Sequence, residues 1–182
     1  MTLGMHIEGS TNADELGWLH FWAGKMGSVV EIGSMKGRSA YALCSSNCPH
    51  VYCVDPFPDD QYEIFMANVG HFPNLTVLKM SSEEAAKSDL IPAQVDMVWV
   101  DGNHFREGVL TDLSLWAPRT KVLICGHDYN WPSVYHTVVE YFDPDKIKIP
   151  PKPWADSRIW MKFVDNQKEQ EYRLDNTASS QG

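Results

Sequence analysis

The sequence predicts an α/β fold: a single Rossmann-like, doubly wound sheet, mostly parallel, with an antiparallel C-terminal strand and helices on both faces. Three observations predict it. Short β-branched runs alternate with helical segments for five rounds along the 182 residues. These runs are continuously apolar, as strands covered on both faces are. Near the C-terminus, two strand-like runs follow one another with little helix between them. Pro150, Pro151 and Pro153 bridge them, which reads as a closing hairpin.

The elements follow in order. Ser10 or Thr11 can cap a first helix, about residues 11–25, with Asp14 and Glu15 in its first turn and Gly24 and Gly27 closing it. SVVEIG, residues 28–33, is a short strand stopped by glycine. Residues 37–46 read as a helix, and 50–57 as a second strand halted by Asp55-Pro56. A helix over 59–70 precedes the third strand, LTVLKM. Residues 81–90 open with a cap and acids and form a short helix. VDMVWVD is the fourth strand, 105–116 a helix by apolar spacing, and 120–126 the fifth strand. A helix over 132–142 leads to the strand-like runs 146–150 and 157–164. One domain spans 1–164. Residues 165–182 have few apolar side chains and read as a flexible tail.

The bulk numbers exclude some functions. A formal net charge of −9 argues against a nucleic-acid partner, which needs a basic face. No apolar run reaches membrane-spanning length, and the N-terminus shows no secretory signal pattern. Cys44, Cys48, Cys53 and Cys125 lack a metal or redox spacing and read as reduced, structural residues of a cytoplasmic protein.

In a doubly wound sheet, ligands bind beyond the carboxyl ends of the strands. Here those ends carry Glu31 and Gly33, then Asp55, then Ser81 and Ser82, then Asp101 with Asn103 and His104, then His127 and Asp128. Gly33 and Gly37 bracket a tight turn that lets a ligand approach the backbone. Asp55, ending the second strand, can accept from two ribose hydroxyls. The turn is not G-x-G-x-x-G, since Met35 and Lys36 occupy its middle, which weakens a nicotinamide reading.

VVEIGSMKGRS, VYCVDPF, VDGNHFREGVLTDLSLW and LICGHDY together resemble class I S-adenosylmethionine-dependent methyltransferases. Within them, the sequence is most similar to the small group related to macrocin and other antibiotic-tailoring O-methyltransferases. The resemblance covers roughly residues 10–164. It implies S-adenosylmethionine as cofactor, with Glu31, Gly33, Ser34 and Gly37 on its methionine and ribose side. It further implies Asp55 on the ribose hydroxyls and Ser81 and Ser82 near the adenine.

Transfer to oxygen requires an acceptor that loses its proton. Asp101 and Asp128 end neighbouring strands, and paired carboxylates suit Mg²⁺ or another divalent ion. Several relatives carry two acids before the tyrosine of the strand-five motif, where this sequence has His127, a poorer Mg²⁺ ligand. His104, three residues after Asp101, stands as the general base, with an ordinary imidazole pKa of about 6.5. The expected catalytic pair is His104 and Asp101, and the expected metal ligands are Asp101 and Asp128.

The leading expectation is O-methylation of a small-molecule or sugar hydroxyl. One alternative is a metal-dependent hydrolase using Asp101, His104, His127 and Asp128; another is a catalytically silent cofactor-binding protein. Without an inserted lid, a homo-oligomer is one way to complete the acceptor pocket.

Overall fold

The computed structural model describes residues 2–152, 154 and 157–171. Six strands form one sheet in the order β3-β2-β1-β4-β5-β6. They are β1 (Val29–Ile32), β2 (Val51–Asp55), β3 (Leu75–Lys79), β4 (Val95–Val100), β5 (Thr120–Gly126) and β6 (Trp160–Phe163). The first five are mutually parallel, and β6 runs antiparallel to β5. Among the described residues, α1 (Ala13–Ala23) precedes β1, and α2 (Arg38–Cys44), α3 (Gln61–Val69), α4 (Ser82–Lys87), α5 (Arg106–Trp116) and α6 (Pro132–Tyr141) join successive strands. Among the described residues, no helix is long and apolar enough to cross a membrane.

The apolar strands are explained by two cores, one on each face of the sheet. Along β4, Met97 and Trp99 enter one core, while Val98 and Val100 enter the other. Strand side chains alternate between faces, so a strand buried on both needs an apolar residue at every position. The first core packs α1, α2 and α3 residues such as Trp18, Leu43 and Phe65. The second packs α4, α5 and α6 through Ala85, Leu113, Trp116 and Val138. All four cysteines are free and buried.

Two expectations are corrected. The first helix starts later: Asn12, not Ser10 or Thr11, is its N-cap, in a capping box with Glu15. Thr11 is buried instead, its carbonyl accepting from Arg38 Nη1. The closing hairpin reduces to one strand. Residues 146–150 meet β6 only through a bridge between Lys148 and Met161. Pro150 and Pro151 have no N–H to continue a ladder; Pro153 lies outside the described residues. Residues 166–171 form a helical turn, and the rest of the expected tail lies outside the described residues.

Strand register places the functional ends in a row. Ile32 pairs with Val54 on one side and Val100 on the other, and Val100 pairs with Gly126. One step further on, Gly33, Asp55, Asp101 and His127 stand side by side at the edge of the sheet. The strand order reverses between β1 and β4, and there the crevice opens.

Candidate functional site

A cleft of about 660 Å³ lies over this edge, within the range of small-molecule sites. The glycine turn, Asp55, Ser81 and Ser82, Asp101 to His104 and one face of α5 line it. The N-terminal segment Glu8 to Thr11 and the residues Pro56, Pro58 and Gln61 add further walls. That segment is tied down by Arg38, whose Nε donates to the Ile7 carbonyl (2.6 Å) and Nη1 to the Thr11 carbonyl (2.9 Å).

Gly33 is glycine for a backbone reason. Its φ is +88°, and a Cβ there would sit 2.2 Å from the Asp101 carbonyl oxygen. The turn passes so close to β4 that only glycine fits. Gly37, at φ +94°, begins α2. Asp55 holds the turn from below. Its Oδ2 accepts from the Ser34 and Met35 N–H groups at 3.0 and 2.9 Å, and its Oδ1 from Phe57 N–H at 2.6 Å. A carboxylate has about four acceptor positions. Three are used within the chain, so two ribose contacts in addition would overfill Asp55.

Glu31 is fully buried and does not line the cleft. Its carboxyl lies among Ser34, Ser39 and Cys53, and burial pushes its pKa up to about 7. Ser81 caps α4 in a reciprocal pairing with Glu84. Ser82 Oγ accepts from the indole N–H of buried Trp116 (2.8 Å). Beside it Asp112 is buried yet lines the cleft, and burial raises its pKa to about 6. The strand-end reading of the sequence does not reach Asp112, which lies on α5. The missed signal is helical spacing, since Gly108, Thr111 and Asp112 share the α5 face that meets the cleft.

At the other end, His104 and Asp101 reach the cleft. His104 Nε2 lies 2.7 Å from Asp128 Oδ2 and 3.8 Å from Asp101 Oδ1. Asp101 first, then Asp128, raise its pKa to about 9, so the ordinary value expected from sequence is corrected upward. Asp128 is nearly buried, and its backbone is left-handed at φ +52°, a costly conformation for a side-chain-bearing residue.

His127 is not at the cleft surface. Its side chain is 0% exposed, with Nε2 3.1 Å from Glu15 Oε2. Its Nδ1 lies 3.4 Å from Asp128 Oδ1 and 3.6 Å from Asp101 Oδ1. Burial opposes its charge, but Asp101, Asp128 and Glu15 outweigh burial and hold its pKa near 11. Glu15 is also fully buried, and His127, Arg158 and Asn12 bring its pKa down to about 2 against the cost of burial. Arg158 completes the group: its backbone N–H donates to Glu15 Oε1 (2.8 Å), and its Nη1 donates to Asp128 Oδ1 (3.2 Å). A hydrolase built on His127 is therefore disfavoured, because that imidazole cannot meet a ligand.

Asp101, His104 and Asp128 offer three donor atoms within 4.8 Å of one another, a spacing that could hold an ion. Yet Asp128 already faces His104, His127 and Arg158, and Asp101 faces both imidazoles. The residues present do not fit a divalent ion, since Arg158 and the two imidazoles already occupy these carboxylate oxygens.

Residues 30–129 match the model of a family described as a methyltransferase domain. No curated protein matches the sequence. Among solved structures, the chain resembles an O-methyltransferase from Bacillus cereus in complex with S-adenosylhomocysteine. The TM-score is 0.67 at 11% identity, covering 86% of this chain and 83% of that one. An S-adenosylhomocysteine-bound methyltransferase from Podospora anserina gives 0.62 at 13% identity, covering 83% and 78%. An N-methyltransferase from Bradyrhizobium japonicum WM9 gives 0.57 at 13% identity, covering 82% and 91%. At such identities the likeness is one of fold, and the fold does not fix the acceptor atom.

Proposed function

The chain belongs to the class I S-adenosylmethionine-dependent methyltransferases, and from that premise we propose that it methylates a hydroxyl oxygen of a small molecule, a sugar hydroxyl foremost. The observation that carries the reading is His104: an imidazole at the cleft wall, backed by Asp101 and Asp128, beside the glycine turn. S-adenosylmethionine, when bound, supplies a methyl group on a cationic sulfur, a charge that lowers the pKa of a nearby imidazole.

The chain's own residues hold and orient. Gly33, Ser34 and Gly37 present the turn backbone to the methionine and ribose side, with Glu31 buried behind that turn. Asp55 accepts from one ribose hydroxyl with its remaining acceptor position. Ser81, Ser82 and Asp112 surround the adenine, with Asp112 placed to accept from its amino group.

His104 takes the acceptor proton at Nδ1, because its Nε2 faces Asp128 and Asp101. Asp101 and Asp128 then stabilise the imidazolium, a general-base arrangement contributing about 10²–10⁴ in rate. With a pKa near 9, only about one His104 in a hundred is neutral at pH 7 without cofactor. Catalysis in this reading therefore strengthens as pH rises.

The test combines two measurements on purified protein. Calorimetry with S-adenosylhomocysteine is expected to show saturable binding. Incubation with methyl-labelled S-adenosylmethionine and a panel of sugar, phenol, amine and carboxylate acceptors, read by mass spectrometry, is expected to label hydroxyls. Labelling confined to amines or carboxylates overturns the O-methylation reading.

A further inference from the structure

Glu15, Asp101 and Asp128 bring three carboxylates to one place, and His104, His127 and Arg158 bring three basic groups. They come from distant parts of the chain: α1, the ends of β4 and β5, and the residues leading into β6. Asp128 Oδ1 has His127 Nδ1 at 3.4 Å and Arg158 Nη1 at 3.2 Å, while its Oδ2 has His104 Nε2 at 2.7 Å. Asp101 Oδ1 has both imidazoles, at 3.6 and 3.8 Å. His127 thus spans the two carboxylates, as a bridging ion would.

We infer that the His127 imidazole and the Arg158 guanidinium are built-in partners that hold Asp101 and Asp128 in place of a divalent metal, so that this methyltransferase site works without one. The inference rests on the proposed methyl transfer only for its functional consequence; the arrangement stands by itself. Both ring nitrogens of His127 face carboxylate oxygens, Glu15 on one side and Asp128 and Asp101 on the other, and the permanently charged Arg158 faces Asp128 and Glu15. A divalent ion would add two charges to a half-buried site and would have to displace basic groups to reach oxygen ligands. His127 cannot swing aside easily, because its side chain is 0% exposed and held by Glu15 on its far side. Arg158 is held at three points: the Ser10 carbonyl at 2.6 Å, Glu15 at 3.3 Å and Asp128 at 3.2 Å. Both are positioning residues. They fix Asp128 behind His104 and keep the carboxylates from repelling one another.

The test needs no known acceptor. Chelator-stripped wild type, Arg158→Gln, Arg158→Lys and His127→Asn are each titrated calorimetrically with Mg²⁺ and Mn²⁺. Their melting temperatures are followed with and without ion. Wild type and Arg158→Lys are expected to be blind to both ions at millimolar concentration. Arg158→Gln, with Asp128 released, is expected to bind Mn²⁺ at least about tenfold more tightly than wild type and to melt higher in its presence. Wild-type protein that binds either ion at micromolar concentration, with loss of binding in Asp128→Asn, overturns the inference. So does a folded Arg158→Gln and a folded His127→Asn that both remain blind. If one variant fails to fold, the other carries the test, and the wild-type titration stands alone if both fail. S-adenosylhomocysteine binding, measured on the same samples, separates the two claims: its absence would sink the methyltransfer proposal and leave the ion result readable.

Discussion

Replacing Glu31 by glutamine should make the protein more stable, and increasingly so as pH rises. Glu31 is fully buried on the β1 face that carries Val29, where the strand pattern otherwise places apolar residues. Burial lifts its pKa from 4.5 to about 7, against smaller opposing effects from Ser34, Ser39 and Cys53. Between these values the folded protein keeps a proton that the unfolded chain has released. The folded state then binds more protons, so stability falls as pH rises through this window. The full shift is about 2.5 units, equivalent to about 3 kcal/mol. Roughly 1 kcal/mol of that is already lost at pH 5, so about 2 kcal/mol remains to be lost by pH 8. Glutamine keeps the shape and hydrogen-bonding capacity and cannot ionise. Urea unfolding of both proteins at pH 5, 6, 7 and 8 checks this, because every other titrating group is common to the pair. The stability difference should widen in favour of Glu31→Gln by about 2 kcal/mol. A difference that stays flat across pH would refute the reasoning and show that Glu31 does not titrate in this window.

Two further outcomes follow from the cleft. Gly33→Ala should destabilise by more than about 3 kcal/mol and abolish S-adenosylhomocysteine binding, because its Cβ would collide with the Asp101 carbonyl at a left-handed φ; urea unfolding and calorimetry check both. Labelled-methyl transfer at subsaturating cofactor should rise about tenfold per pH unit below the His104 pKa and level off near pH 9. The raised pKa keeps the imidazole charged below that value, and a flat profile would remove His104 as base.

Much of the fold is legible because the central strands β1, β2, β4 and β5 are short apolar runs stopped by Gly or Asp, while the helices carry apolar residues at helical spacing. The first helix cap was misplaced because Ser10, Thr11 and Asn12 are all capping residues. Only the pairing of Asn12 with Glu15 selects among them. Residues 146–150 alternate lysine and isoleucine as a strand does, while Pro150 and Pro151 leave one bridge to β6.

The site divides in the same way. Strand ends at a topological switch point are predictable, so Gly33, Asp55, Asp101 and His104 were found in advance at the positions lining the cleft. The support behind them was not. Glu15 and Arg158 are 143 residues apart and meet only in the folded chain. No local pattern announces that an acid in a capping box also anchors a buried imidazole. Asp112 was passed over because a single acid on an amphipathic helix usually faces water.

The most direct measurement is labelled-methyl transfer to a hydroxyl acceptor by wild type and His104→Ala, alongside their S-adenosylhomocysteine affinities. The account predicts a rate lower by about 10²–10⁴ in the variant with affinity nearly unchanged, since His104 acts on the acceptor proton rather than holding the cofactor. Equal rates in the two proteins would contradict it.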